Sequence, residues 1–400
     1  MKCRALNILF LTAHFPYPLI GGERIKSYHI IKHLAANHKV WLLSYDKGIC
    51  PDTNDINKIR ELGVEVELIH LDTKAALRKS AVNTLWRHPI EVEFFMNSEF
   101  KRSIQKIIDE NKIDLGISFF LRTAEYLSNI DIKKILILED CRTLYQKGVS
   151  NASQNLFQKA VRTWDYYKMR KYEPALLNHF DCTTVVTEYE KCFLQSLNSK
   201  APIEILSNGV NHIDFCPNGK YSNEKRIIFT GRLDMWVNRM ILQRLINKIF
   251  PKIQQIVPDS KLQIVGYNPP KDINKNRMSG IEIISNVSSI IPYIQNAALM
   301  LNPHFGGSGI QNKVLEAMSC GCPVVTTNSG ARGIGIIDGT NGFITDSDSG
   351  LIEKAVLLLN DSNLRKKLGA NAREYILRNH RWEDILNELD EIIENIINYS

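Results

Sequence analysis

The stretch ALMLNPHFGGSGIQNKVLEAMSCGCPVVTT, Ala298 to Thr327, constrains the chain more than any other. Leu299 to Leu301 is a short apolar run, Gly306, Gly307 and Gly309 break it, Asn312 to Met318 carries helix formers, and Val324 to Thr327 is β-branched. That order spells strand, glycine loop, helix, strand, a parallel unit that needs a layered α/β fold around it. A glycine loop that opens a helix after a strand aims free backbone amides at an anion. Lys313 falls in the first helical turn and Glu316 three residues on, so both face one side. A cation beside amides suits a phosphate, and a carboxylate one turn deeper suits sugar hydroxyls. The same pattern also fits a plain strand–turn–helix with a solvated Lys and Glu.

The rest of the chain repeats the alternation. Leu6 to Thr12 reads as a buried strand, the loop His14 to Gly22 follows, and an amphipathic helix runs from about Glu23 to Ala36. Strand and helix signals continue through Val40 to Ser44, Val64 to Ile69, Phe100 to Glu110, Asp114 to Ser118, Ile135 to Leu138 and Cys182 to Thr187. Between Leu206 and Glu224 the pattern lapses into turn residues, which marks a linker. A second cycle starts with strand Ile227 to Thr230, loop Gly231 to Trp236, helix Arg239 to Val257 and strand Lys261 to Val265. The expected organisation is therefore α/β, with a first domain over residues 1–210 and a second over 211–381. The final helix, about 382–400, is free to pack back on the first domain.

Composition narrows the function classes. Of 400 residues, 44% are hydrophobic and 23% charged, which excludes a disordered chain and a membrane bundle. Lys and Arg outnumber Asp and Glu by 29 to 23 in residues 1–200 and by 21 to 20 in the rest. So mild an excess argues against nucleic acid as partner, but its place in the first half suits an anionic membrane surface. The eight cysteines are scattered, and the close pair Cys320 and Cys322 has no second pair at zinc spacing. The N-terminal apolar run makes a poor signal peptide and no run approaches the length of a membrane span, so a cytoplasmic protein, peripheral at most on the inner face of a bacterial membrane, is expected. One segment stands out: Lys74 to His88, KAALRKSAVNTLWRH, mixes four basic residues with Leu77, Val82, Leu85 and Trp86. It reads either as a helix lying on a membrane interface or as a surface helix packing its apolar side on the domain.

Each expected domain places a loop at the carboxyl end of its first strand, where open α/β sheets bind ligands. In the first that loop ends in Gly21 and Gly22, which either permit close approach to a substrate or merely make the turn. In the second it holds Gly231 and Arg232, a guanidinium able to fork onto phosphate oxygens. The dinucleotide and P-loop fingerprints are absent, as are GxSxG, HExxH and paired CxxC, so no nucleophile-and-base mechanism has a carrier. His14 and Asp140 are polar groups near strand ends of the first domain and candidate contacts for acceptor or sugar; Asp140 equally suits capping the next helix.

These residues resemble a known family. FTGRLD at Phe229 to Asp234, QIVGYNP at Gln263 to Pro269, VSSIIPYIQNA at Val287 to Ala297 and GSGIQNKVLEAM follow the order and spacing of the retaining GT-B glycosyltransferases, group 1 or family 4 type. GGERIKSYHIIKHLA and ILSNGVN match more loosely, and the GIQNKVLEAM form is similar to a bacterial subgroup associated with exopolysaccharide export. The resemblance implies two doubly wound Rossmann-like domains facing each other across a cleft. It implies that Gly231, Arg232 and Lys313 hold the donor diphosphate, with Arg232 and Lys313 as the catalytic cations. Glu316 would bind the ribose, Ser308, Gly309 and Ile310 would lie under the sugar and pyrophosphate, and the Gly21–Gly22 loop would close on the donor. Two departures are visible: Ser308 stands where the family usually has a glutamate, and the lysine about five residues after the arginine is missing, Val237 occupying that region.

The resulting expectation is a hexosyltransferase moving a sugar from a nucleotide diphosphate donor to a hydroxyl with retention, in cell-surface polysaccharide or glycolipid synthesis. The donor is a substrate, a UDP-sugar ahead of others; no cofactor and no metal is expected. The acceptor would be a glycan or lipid-linked. The alternatives are a non-catalytic nucleotide-sugar binding protein, suggested by Ser308, and a sugar-nucleotide epimerase of the same shape.

Overall fold

The computed structural model describes residues 4–47, 50–152, 155–197, 199–219, 224–269 and 279–398. The chain forms two compact units, one of Met1–Ser207, Gly307–Gly309 and Leu386–Ser400, the other of Asn208–Gly306 and Ile310–Ile385.

The first unit is built on seven strands: β1 (Asn7–Thr12), β2 (Lys39–Tyr45), β3 (Glu65–Ile69), β4 (Leu115–Phe119), β5 (Lys133–Ile137), β6 (Cys182–Val185) and β7 (Ile203–Ile205). They lie in the order β3-β2-β1-β4-β5-β6-β7, every pairing parallel. In β1, Leu9 and Leu11 join Trp41, Leu43 and Leu136 in one core, while the alternate Ile8 and Phe10 are also fully buried. Cover on both faces is why the strand reads as an unbroken apolar run rather than an alternating one. Strand order reverses between β1 and β4, so the carboxyl ends at Thr12 and Phe119 flank a crevice of the kind that takes ligands.

The second unit has six strands: β8 (Arg226–Arg232), β9 (Lys261–Tyr267), β10 (Ile281–Ser285), β11 (Leu299–Asn302), β12 (Val324–Thr326) and β13 (Phe343–Ile344). Their order is β10-β9-β8-β11-β12-β13, again all parallel. Ile227 and Phe229 pack with Leu242, Ile249 and Leu358, whereas Ile228 between them packs with Val314, Met318 and Ile376. Helices therefore cover both faces, and the order reverses between β8 and β11, the two strands that carry Gly231 and the glycine loop.

Two expectations are corrected. The helix expected over Arg239 to Val257 starts earlier, at Trp236, and is interrupted: Trp236–Arg244 passes through a π turn, Leu245–Ile249, before Phe250–Ile256. Pro251 explains the break, because it has no N–H to donate and its ring would clash with the carbonyl four residues back. The segment from Lys74 to His88 is helical only over Thr73–Asn83, with Asp72 accepting from the amides of Lys74 and Ala75. Ala76 and Ser80 are the residues it buries, and Leu77, Val82, Leu85 and Trp86 stand exposed. Packing of its apolar side on the domain is overturned. No helix among the described residues is long and apolar enough to cross a membrane.

Candidate functional site

In the second unit the site grows from the ends of β8 and β11. Gly231, at φ 147°, is open to Lys313: a Cβ there would lie 3.1 Å from the lysine Nζ and 3.2 Å from Asn238 Nδ2. A side chain there would press the ammonium aside by a few tenths of an ångström, and the positive φ itself favours glycine. Lys313 Nζ donates to Asn238 Oδ1 at 2.8 Å, Asn238 Nδ2 donates to the Arg232 carbonyl at 2.7 Å, and the ammonium sits 4.1 Å from the Phe229 ring centroid. The helix Asn312–Ser319 has no side-chain cap at its start; the Val314 N–H donates to the Gln311 carbonyl at 2.8 Å, and the amides ahead of it, at Asn312 and Lys313, are the ones an anion would meet.

Electrostatically the helix turn is short of counter-charge. Burial pushes Lys313 down to about 7, with Glu316 only partly offsetting it. Burial likewise pushes the Glu316 carboxyl up to about 7 against the pull of Lys313. Neither group forms an ion pair within 4.0 Å with a described residue. Behind them His304 is buried, held neutral by burial with its pKa pushed down to about 3, and bonded through Nδ1 to Ser329 Oγ at 2.9 Å. Arg232 does not point its fork at this spot: its Nη2 and Nε reach Asp234 at 2.8 and 3.3 Å.

Residues 224–361 match the model of a family described as glycosyl transferases, group 1. That segment is similar to the family, and the fold of the chain is GT-B. An uncharacterised glycosyltransferase of Methanocaldococcus jannaschii is 26% identical over 188 residues, 45% of this chain and 47% of that protein, so the chain spans about half the length of this curated relative. Among solved structures, a sucrose-phosphate synthase from Thermosynechococcus elongatus aligns over 99% of this chain and all of its own with a TM-score of 0.75 at 17% identity. The Anabaena protein HepE, solved in complex with UDP-glucose, aligns over 98% of this chain and 100% of its own at 0.68 and 15%. At such identities the likeness concerns the fold.

Lys313, Gly231, Asn238 and Glu316 all fall inside the group 1 segment. Asn238 was not singled out from the sequence; its one signal was a polar side chain in the first helical turn after Gly231 and Arg232. Ile310 packs at the edge of the core around Val314 and Leu315. Ser308 and Gly309 instead group with the first unit, where the Gly309 N–H donates to Glu190 Oε1 at 2.9 Å. Ser308 Oγ is buried with no hydrogen-bond partner among the described residues.

In the first unit, Gly21 takes φ 93° at the N-cap of the helix Gly22–Ala35, a conformation that favours glycine, and no side chain caps that helix. His14 and Asp140 turn out to be the two ends of a string of charges at the carboxyl ends of β1, β4 and β5. His14 Nδ1 meets Glu23 at 3.0 Å, Glu23 takes Arg122 Nη1 at 2.7 Å, and Arg122 Nε donates to Glu91 at 2.6 Å. Arg142 Nε then donates to the other Glu91 oxygen at 2.8 Å, and its Nη1 lies 3.2 Å from both oxygens of Asp140. Burial alone would raise the Glu23 and Glu91 carboxyls, but their arginines override it, holding Glu23 well below the carboxylate range and Glu91 at about 2. Asp140, with a single arginine, is left raised by burial. Of the linking residues, Glu23 lies in the GGERIK stretch, while Glu91, Arg122 and Arg142 carried no motif; the fold brings together four helix starts far apart in sequence.

Proposed function

We propose that the chain is a retaining hexosyltransferase that moves a sugar from a nucleoside diphosphate sugar to a hydroxyl of a glycan or lipid-linked acceptor. The observation that carries this reading is the Lys313–Glu316 turn, a half-buried cation and carboxylate on one helix face at a helix start without a side-chain cap, beside an open glycine. Such a cation stabilises charge that develops on a leaving diphosphate, in a water-poor setting where it is worth most. The anomeric carbon–oxygen bond to the diphosphate breaks, the acceptor oxygen bonds to that carbon on the same face, and the acceptor proton passes to the departing phosphate. No side-chain base is needed. Arg232 adds its charge once its fork leaves Asp234, and Glu316 accepts hydrogen bonds from the ribose hydroxyls.

A UDP-sugar leads among donors, supported by a solved protein of this fold that holds UDP-glucose. A role in cell-surface polysaccharide or glycolipid synthesis goes with the reading. The cations of the reaction are side chains and no metal is required, so activity should survive EDTA; loss restored by magnesium or manganese overturns that part. The test of the whole is a panel of nucleotide sugars scored for nucleoside diphosphate release with and without acceptor. Acceptor-dependent release from one donor supports the reading. Tight binding with no release assigns a binding protein, and an isomerised sugar nucleotide assigns an epimerase.

A further inference from the structure

We infer that one face of the first unit, built from the helix Thr73–Asn83 with the turn after it and from the long helix Leu156–Leu177, is a docking surface for an anionic lipid bilayer. Sixteen large apolar or aromatic side chains stand exposed among the described residues, and eight of them lie on these two helices and that turn. On the first stretch they are Leu77, Val82, Leu85 and Trp86, the last 84% exposed. On the second they are Leu156, Phe157, Trp164 and Tyr167, with Leu156 at 83% and Phe157 at 77%.

The two stretches are tied together. Lys168 Nζ donates to the carbonyl of Thr84 and, at 3.2 Å, to that of His88, and Asp165 accepts from the Ile90 amide at 3.0 Å. Lys168 also lies 5.1 Å from the Trp164 ring centroid, which sets that ring beside the turn carrying Trp86.

Charge decides the occupant. Thr73 to Pro89 contains no acidic residue, and the acids of the long helix, Asp165 and Glu173, are 1% and 0% exposed. Lys74, Arg78, Lys79 and Arg87 are exposed on the first stretch, and Lys159, Arg162, Arg170 and Lys171 on the second. The charge shown to solvent by these elements is thus wholly positive and interleaved with rings. The core of a protein interface is depleted of lysine and charge. A bilayer surface wants this mixture, since tryptophan settles at the headgroup level and basic side chains meet anionic lipid. In the sequence the second helix was concealed by its two acids, which only the fold withdraws from the surface.

The test is cosedimentation of the full chain with vesicles of phosphatidylcholine alone or with roughly one-third phosphatidylglycerol. Binding to the anionic vesicles only, weakening as salt shortens the Debye length from about 10 Å to about 3 Å, is expected. Arg78→Gln with Arg87→Gln should lower the partition roughly 30-fold, at about 1 kcal/mol for each basic residue at the surface. Trp86→Ser with Phe157→Ser should lower it by more than about tenfold, because both rings lose apolar burial. All four side chains are exposed, so melting temperatures should stay at the wild-type value and a loss of binding is not a loss of fold. Equal binding to neutral and anionic vesicles, or wild-type binding by both variants, overturns the inference. A dimer that the ring variant converts to monomer, with vesicles ignored, assigns the patch to a second copy and overturns it too.

Discussion

In the first unit the six side chains from His14 to Asp140 are partnered with one another, whereas in the second Lys313 has a neutral amide and a ring, and the Glu316 carboxylate accepts no hydrogen bond from a described residue. Both regions withdraw carboxylates from water at the carboxyl ends of parallel strands. Yet Glu91 is drawn down to about 2 while Glu316 is pushed up to about 7. The difference is whether partners are already in place: two guanidiniums outweigh desolvation at Glu91, and one distant ammonium does not at Glu316. Charges that are paired hold a framework together, and charges left short at a helix start are set to be completed by a ligand.

The comparison breaks first at Glu91. Glu91→Ala removes the anion that Arg122 and Arg142 share, leaving Arg122 only Glu23 and Arg142 only Asp140, and should cost up to about 3–5 kcal/mol of stability, measured by denaturant unfolding. Because the folded-state pKa of Glu91 lies below its ordinary value of 4.5, the unfolded chain binds more protons in that window, and this stability should drain away as pH falls from 4.5 through about 2. A variant as stable as the wild type would show that the string contributes no net stability.

Next comes Lys313, where the loss should appear in rate and not in stability. Lys313→Ala should lower turnover roughly 100 to 1,000-fold, as for removal of a preorganised charge-stabilising donor. Its melting temperature should hold or rise, since a half-buried cation short of partners is removed. Near wild-type turnover in a folded variant would return this helix to the plain strand–turn–helix reading.

A smaller effect is expected at Glu316, which meets hydroxyls that change little during reaction. Glu316→Gln should raise the donor KM by roughly tenfold with turnover nearly kept, the mark of lost uniform binding. Ser308→Ala should do less than either. A fall in turnover with KM unchanged at Glu316 would place that carboxylate at the reacting carbon instead.

The gentlest probe needs no mutation. With Lys313 near 7 in the free protein, binding UDP at about pH 8 should draw in about one proton as the diphosphate restores the ammonium. Calorimetry in buffers of different ionisation enthalpy reads this directly, and Lys313→Met should abolish it. Zero uptake by the wild type would mean that the lysine does not meet the diphosphate.

The sequence by itself determined what depends on near neighbours along the chain. Strand and helix positions follow from apolar runs and 3.6-residue spacing, so β1 and the helix at Asn312 lie within a residue of expectation, while β8 runs two residues further and takes in Gly231 and Arg232, expected in the loop. The pairing of Lys313 with Glu316 is likewise local, one turn of one helix. Even the π turn at Leu245–Ile249 has its signal in Pro251, although the apolar spacing runs on across it. Tertiary structure alone decided which distant residues meet and which face is left uncovered. Glu23, Arg122 and Arg142 come together because parallel strands bring their carboxyl ends to one edge, Glu91 joins them from the helix Ile90–Phe95, and long flexible side chains pair only after the backbone has been placed. Trp86 and Phe157 are exposed for the converse reason: an apolar stripe is buried only if another element arrives to cover it, and here none does among the described residues.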